Sequence, residues 1–199
     1  TMMNENYAHP AMPAGAEQGI LKGMYLLQEA DGEQGSKRVQ LMGSGTILRE
    51  VIAAAELLRE YGVSADVWSA TSFTELRREG QDTERWNMLH PDEQRRESFV
   101  SEALGPHGGP VIAATDYTRL YVDQIRPYVA RRFVALGTDG YGRSDVRAKL
   151  RDFFEVDRRW VTVAALKALA DEGDIEPAVV TEALARFDID INKPNPMTV

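Results

Sequence analysis

Four short, mainly apolar runs, separated by segments with helical periodicity, constrain the fold of this chain more than any other feature. They lie at residues 39–42, 65–70, 111–115 and 133–136. Apolar runs of this kind, without a polar residue at every second position, are typical of parallel strands that helices cover on both faces. The pattern therefore predicts an α/β fold, a three-layer α/β/α sandwich with a mostly parallel sheet of roughly five strands.

Capping residues and apolar spacing predict the helices between these strands. Thr46 is expected to cap a helix that runs to about residue 61 and ends at Gly62. Ser144 or Asp145 is expected to cap a helix to about residue 153, and Asp157 one through residue 170. The other predicted helices lie at residues 72–97, which are strongly charged and broken at His90-Pro91, at 117–125, and from Pro177 onward.

Composition argues against several classes of partner and location for this protein. The formal net charge of −8 argues against a nucleic-acid partner, because nucleic-acid binders usually carry a basic patch. The chain contains no cysteine, which excludes disulfides and fits a reducing cytoplasm, the expected location. No apolar run approaches the roughly 20 residues that span a bilayer, so no membrane partner is expected. The amino terminus does not resemble a signal peptide and suggests the middle of a longer protein.

Residues 43–46 (GSGT) follow a predicted strand and precede a helix, where a phosphate-binding loop would lie. Two features are missing. Leu48 stands where the third glycine of G-x-G-x-x-G would be, and the lysine of a P-loop is absent. A tight structural turn is therefore favoured over phosphate binding, because position in a fold alone does not establish function.

Residues 137–145 (GTDGYGRSD) form the most pointed candidate site. Asp139 and Arg143 are spaced so that they could pair across the turn, and Tyr141 and Arg143 are residue types that anchor interfaces. A turn at the carboxyl end of a strand could also bind a ligand. A turn that packs against a neighbouring domain is favoured. The candidate interface residues are Asp139, Gly140, Tyr141, Gly142, Arg143 and Ser144.

Metal-binding and hydrolytic motifs are absent from the sequence. His9, His90 and His107 lack partners at metal-ligand spacing, so an exposed or capping role is expected for each. Residues 188–192 (DIDIN) begin like a calcium loop, but Lys193 occupies the position of the required glycine. Neither a G-x-S-x-G elbow nor a metal site is therefore predicted. Core or interface packing is expected for the tryptophans, Trp68, Trp86 and Trp160.

Several segments, in the right order, resemble the homodimeric bacterial pyruvate dehydrogenases over their carboxy-terminal third. The segments are 4–7 (NENY), 39–45 (VQLMGSG), 66–90, 115–117 (TDY), 137–145, 154–157 (FEVD) and 195–196. The chain is also similar, more distantly, to the transketolase carboxy-terminal domain, whose version of the same turn is like the G-x-D-x-x-G-x-S pattern that begins at Gly137.

This resemblance implies a division of the chain and a role within a larger enzyme. Residues 1–35 would be the end of a pyrimidine-binding domain and its linker, and 36–199 a transketolase C-terminal-like α/β domain. Thiamine diphosphate and magnesium would be bound upstream, so no catalytic, cofactor-binding or metal-binding residue is expected here. The implied partners are the preceding domains of the same protein, a second copy in a homodimer, and the dihydrolipoyl acetyltransferase that accepts the acetyl unit.

Two alternatives stay open at this point. The chain could be a free-standing transketolase-type interaction module or one subunit of a split thiamine enzyme. It could also be an independent nucleotide-binding α/β domain that uses residues 43–46.

Overall fold

A five-stranded sheet forms the centre of the molecule, in a computed structural model that describes residues 8–31 and 37–199. The strands lie in the order β1-β3-β2-β4-β5. The four strands from β2 to β5 are parallel, and β1 is antiparallel to β3. Their bounds are β1 Met24–Gln28, β2 Arg38–Ser44, β3 Ser64–Ala70, β4 Val111–Ala114 and β5 Phe133–Leu136. The predicted α/β fold with a mostly parallel sheet is confirmed.

Helices cover both faces of the sheet. Their bounds are α1 Glu17–Lys22, α2 Leu48–Arg59, α3 Phe73–Leu89, α4 Phe99–Leu104, α5 Arg119–Asp123, α6 Arg147–Phe153, α7 Arg158–Glu172 and α8 Pro177–Arg186. Short 3₁₀ turns lie at Gly45–Ile47, Arg126–Tyr128 and Pro196–Thr198. The result is the three-layer sandwich that the sequence predicts.

Two hydrophobic cores follow from the alternation of side chains along the strands. Leu41 and Ile112 point to the face covered by α2, α7 and α8. Met42 and Ala113, one residue further along, point to the face covered by α3, α4 and α5. Successive residues of a strand face opposite sides, so an uninterrupted apolar run is buried on both. This explains why the central strands were recognisable without an alternating pattern.

Some predicted helix starts are confirmed and others are wrong. Asp157 caps α7, since its Oδ1 accepts hydrogen bonds from the backbone N–H groups of Arg159 (2.9 Å) and Trp160 (3.2 Å). Thr46 is not a cap, because it lies within a 3₁₀ turn that precedes α2. The prediction for Ser144 or Asp145 is also wrong. Helix α6 begins at Arg147 with Val146 as its N-cap, and no side chain caps it.

The predicted helix at residues 72–97 is only partly confirmed. Helix α3 ends at Leu89, and His90 has left the helical conformation, as expected before a proline. Residues 90–97 are not helical, whereas α4 lies shortly beyond them and was not predicted. Strand β1 was also missed, because the run at 19–27 divides between α1 and a five-residue strand.

The predicted domain boundary at residue 35 lies in the segment 32–36, outside the described residues, as do residues 4–7. On the amino-terminal side of that segment, β1 pairs with β3 through Met24–Ala70, Tyr25–Ser69 and Leu26–Trp68. The division into residues 1–35 and 36–199 stays a prediction.

Candidate functional site

The carboxyl ends of β2 and β4 define the point where the chain changes direction across the sheet. From β2 the chain moves to β3 on one side, and it then returns to β4 on the other side of β2. The connections that follow β2 and β4 therefore lead toward opposite edges of the sheet. In open α/β sheets, ligands bind at such a switch point.

The loop at residues 43–46 is shaped by packing. A Cβ atom on Gly43 would lie 2.7 Å from the Cα of Leu48, so this glycine allows α2 to approach the strand. The Ser44 hydroxyl donates to Thr115 Oγ1 at 2.8 Å, and this bond links the carboxyl ends of β2 and β4. The Thr46 hydroxyl lies 3.4 Å from the Asp116 carboxylate, which would repel a phosphate placed there. These contacts support a structural turn rather than a phosphate loop.

The turn at residues 137–145 is anchored at its base and exposed at its tip. Asp139 Oδ1 accepts a hydrogen bond from the Arg119 backbone N–H at 3.0 Å. Its Oδ2 lies 3.3 Å from Arg119 Nε, an ion pair without the alignment of a hydrogen bond. Gly140 has a φ of +105°, and a Cβ there would lie 2.4 Å from the Pro196 carbonyl oxygen. Beyond it, Tyr141 is 84% exposed.

The predicted pairing of Asp139 with Arg143 is wrong. Asp139 contacts Arg119 instead, and the Arg143 guanidinium lies over the Phe153 ring at 4.3 Å. Gly142, Arg143 and Ser144 are exposed, as is Tyr141. The turn therefore presents an aromatic and a cationic side chain to solvent from a fixed base.

A cleft of about 310 Å³ opens between this turn, α6 and the ends of the parallel strands. Its lining includes four apolar side chains, Ile47, Leu150, Phe154 and Val156. The polar residues that line the cleft fall into two sets of three. Thr46, Asp116 and Thr138 lie at the strand ends, and Arg143, Arg147 and Arg151 lie on the turn and on α6.

A buried carboxylate, Glu50, holds one of the arginines that line the cleft, Arg151. Glu50 on α2 accepts hydrogen bonds from Arg151 Nη1 and Arg158 Nε, both at 2.9 Å, and from the Arg158 backbone N–H at 3.2 Å. Burial raises the pKa of Glu50, but hydrogen bonds from Arg158 and the charges of Arg158 and Arg151 outweigh it, so the pKa lies below its usual value. The charged carboxylate therefore joins α2 to α6 and α7.

A second buried carboxylate, Asp66, was not identified from the sequence. Its side chain is fully buried in β3 and accepts two hydrogen bonds from Arg38, at 2.7 and 2.8 Å. Ala30 N–H donates at 2.9 Å, and His107 Nδ1 lies 3.1 Å away. The expected exposed or capping role is therefore wrong for His107, which also packs edge-to-face on Trp68. The sequence did contain a signal for this buried carboxylate, because Asp66 lies within the mainly apolar run at residues 65–70.

The other histidines fit their predicted roles. His90 is the C-cap of α3, its Nδ1 lies 2.8 Å from the Trp86 carbonyl, and its ring stacks on Trp86. His9 is exposed. In the ranges 8–31 and 37–199, no cluster of three or more histidine or acidic side chains could hold a metal ion. Lys193 donates instead to the carbonyls of Asp152 and Phe153, a structural role.

The tryptophans are packing residues. Trp68 lies in the core, and the Trp160 indole N–H donates to Asp152 Oδ1 at 3.2 Å. Trp86 lies between His90 and the Arg96 guanidinium, which is 3.5 Å from the ring centroid. Within the described part of the chain, no helix has the length and apolar character needed to cross a membrane.

Comparison with known proteins agrees with the resemblance seen in the sequence. Residues 23–157 match the family described as transketolase-like TK C-terminal domain. The pyruvate dehydrogenase E1 component of Cupriavidus necator is 62% identical over this whole chain, and that of Pseudomonas aeruginosa is 61% identical over 99% of it. The chain spans only 22% of the length of each of these relatives.

Solved structures agree on the fold. An inactive β4 tetramer of a split-gene transketolase superposes with a TM-score of 0.52, at 17% identity, over 75% of this chain and 43% of that one. At this level of identity the likeness concerns the fold alone. The sequence relatives confirm the resemblance to pyruvate dehydrogenase E1 components, and the family match confirms the resemblance to the transketolase carboxy-terminal domain.

Proposed function

Because the chain belongs to the transketolase-like C-terminal domain family, we propose that it is the carboxy-terminal, non-cofactor-binding part of a homodimeric pyruvate dehydrogenase. The whole enzyme decarboxylates pyruvate oxidatively in the cytoplasm and transfers the acetyl unit to lipoyl groups of dihydrolipoyl acetyltransferase. The observation that carries this proposal is the identity of 62% to a pyruvate dehydrogenase E1 component over the full length of the chain.

The described residues do not fit thiamine diphosphate and its magnesium ion. Magnesium bound to a diphosphate needs carboxylate or carbonyl ligands in octahedral geometry. The cleft offers one carboxylate, Asp116, which already lies against the Thr46 hydroxyl. We therefore assign no catalytic step to this chain and propose that the preceding domains of the same protein bind the cofactor.

The local role that we propose for residues 139–144 is to stabilise an interface with a neighbouring domain or the second copy of the homodimer. Tyr141 and Arg143 are exposed on a turn that Asp139 and Gly140 fix against the rest of the domain. A rigid base reduces the entropy lost on binding, and Tyr and Arg are enriched among residues that dominate interface energies.

The first test is the intact mass, under denaturing conditions, of the polypeptide that the source organism makes. A polypeptide several times longer than 199 residues supports the proposal, because this chain spans 22% of its relatives. A polypeptide of only 199 residues refutes it and identifies a free-standing module or a subunit of a split enzyme.

The second test concerns the interface in the longer protein. Tyr141→Ala with Arg143→Ala should raise the dimer dissociation constant at least tenfold, or should lower the melting temperature of the joined domains. Met88→Ala is the control, since Met88 is also strongly exposed, at 71%, but lies on α3. An unchanged dissociation constant and melting temperature would refute the interface role and leave the assignment to the enzyme intact.

A further inference from the structure

Lys193 attaches the segment at residues 188–199 to the end of α6. Its ammonium group donates to the backbone carbonyls of Asp152, at 2.9 Å, and Phe153, at 2.8 Å. It also donates to the Glu155 carboxylate at 3.2 Å. An ammonium group has three donor hydrogens, so these three contacts use all of them. The charged end of this lysine is therefore held in one place.

The end of α6 is a favourable place for this cation. The last carbonyl groups of a helix lack partners within the helix, and the negative end of the helix dipole attracts a positive charge. Lys193 Nζ also lies 4.8 Å from the centroid of the Trp160 ring, within the range of a cation–π interaction. Only 20% of the Lys193 side chain is exposed, so solvent replaces these contacts poorly.

The same segment contacts the turn that contains Gly140 a few residues beyond Lys193. A Cβ on Gly140 would lie 2.4 Å from the Pro196 carbonyl oxygen and 3.3 Å from the Met197 Cα, so the two backbones touch. Asn195 stabilises this part of the segment, because its Oδ1 accepts a hydrogen bond from the Met197 N–H at 3.0 Å. Pro196 itself is buried.

Phe153 connects the lysine to the other side of the turn. Its carbonyl accepts from Lys193, and the Arg143 guanidinium lies 4.3 Å from the centroid of its ring. The base of the turn has a separate support, since Asp139 accepts a hydrogen bond from the Arg119 backbone N–H. Loss of Lys193 should therefore loosen the tip of the turn and leave its base in place.

We propose that Lys193 is a positioning residue, which docks residues 193–198 on α6 and thereby holds the exposed tip of the turn at residues 139–144 in one conformation. It acts through Pro196 and Phe153 and not by contact with a partner. A consequence for an interface rests on the role proposed above for this turn. The effect on the turn itself needs no partner and is measured on the 199-residue chain.

Nitrogen-15 NMR relaxation of the chain with Lys193→Met tests the proposal. Methionine keeps most of the length of the side chain but removes its charge and its donors. We expect the backbone order parameters of Gly140 and Tyr141 to fall from about 0.85 to below about 0.6, the values of rigid and flexible backbone. Lys167→Met is the control, because it removes the same charge from a side chain on α7 that is 59% exposed, and it should change neither value.

Substitutions in the turn test the same contact from the other side. Gly140→Ala places a Cβ against the Pro196 carbonyl, so it should lower the order parameters of Met197 and Thr198. Gly142→Ala is the matched control, since no atom lies within 4 Å of a Cβ at that position. It should leave Met197 and Thr198 unchanged.

Two outcomes would overturn the proposal. One is a folded Lys193→Met chain in which the order parameters of Gly140 and Tyr141 are unchanged. The other is an equal effect of a variant and its control, for the lysine pair or for the glycine pair. Unchanged order parameters in β4 show that a variant is folded, and if Lys193→Met does not fold, the two glycine variants decide.

The longer protein separates this proposal from the interface role of the turn. There, Lys193→Met should raise the dimer dissociation constant or lower the melting temperature of the joined domains, as Tyr141→Ala with Arg143→Ala should. A loosened turn without either change would refute the interface role and support the positioning role of Lys193.

Discussion

Replacing Asp66 with asparagine removes the charge of a fully buried carboxylate from its ion pair with Arg38 and nearly preserves the shape of the side chain. In the structure, the Asp66 side chain is 0% exposed, against 28% for the Arg38 side chain. Its two oxygens accept from Arg38 Nε and Nη2, from Ala30 N–H and from His107. Asparagine keeps one acceptor oxygen and places an NH₂ group against donors.

The expected loss follows from these contacts. Removing one partner of a buried ion pair typically costs about 3–5 kcal/mol. Arg38 keeps some contact with water, and the remaining amide oxygen can still accept from Ala30, so we expect the lower end, about 3 kcal/mol. With a urea dependence of about 3 kcal/mol per molar, the unfolding midpoint should fall by about 1 M.

The dependence on pH gives an independent check. Burial raises the pKa of Asp66, but hydrogen bonds from Arg38 and Ala30 and the charges of His107 and Arg38 outweigh it, so the pKa lies below the usual 3.8. A carboxylate with a lowered pKa contributes its full stability above its unfolded value and loses it as the pH falls through the folded one. The deficit of Asp66→Asn should therefore be complete at neutral pH and shrink below about pH 4.

Asp31→Asn is the matched control. The Asp31 side chain is 85% exposed and pairs with Arg59 at 3.0 Å, so its loss should cost less than about 0.5 kcal/mol. Urea unfolding monitored by circular dichroism measures both variants. Equal losses for Asp66→Asn and Asp31→Asn, or a deficit that grows below pH 4, would refute the reasoning about the buried pair.

Two further substitutions test packing and charge elsewhere in the domain. Gly80→Ala should lower the free energy of unfolding by about 1–3 kcal/mol, although alanine favours a helix, because the new Cβ would lie 2.4 Å from Tyr128 Cζ. A melting temperature at or above that of the original chain would contradict this. Glu50→Gln should cost about 3 kcal/mol at neutral pH in urea unfolding, since it leaves Arg151 and Arg158 without their shared carboxylate. Because the pKa of Glu50 is lowered, that cost should shrink below about pH 4.5, and an absence of any cost at neutral pH would count against the pairing.

The central strands were predictable because burial on both faces leaves an apolar run in the sequence. Runs such as 39–42 and 111–115 lie in the middle of the sheet, where both faces are covered. Strand β1 is an edge strand, and only its pairing with β3 distinguishes Met24–Gln28 from any other short apolar run. Helix α4 is six residues long and begins at Phe99. Its N-cap is Ser98, which the assumption of one long helix to residue 97 concealed.

The candidate site was located by sequence, but its contacts were not. The turn at residues 137–145 was identified from its glycines and from its place after a strand. The partner of Asp139 is Arg119, which lies 20 residues away and becomes adjacent only when the segments after β4 and β5 pack together. The spacing of Arg143, Arg147 and Arg151 is visible in the sequence, but their position over a cleft depends on the fold.

The antiparallel strand β1 also determines where this domain can be divided. It occupies the hydrogen-bonding edge of β3, a strand of seven residues whose second edge belongs to β2. A chain that began after residue 36 would leave the β3 edge open, which is a template for association with other strands. A single cut between residues 31 and 37 would instead leave two pieces that are still hydrogen-bonded to each other through β1 and β3. Breaking the chain at this point therefore need not unfold the domain.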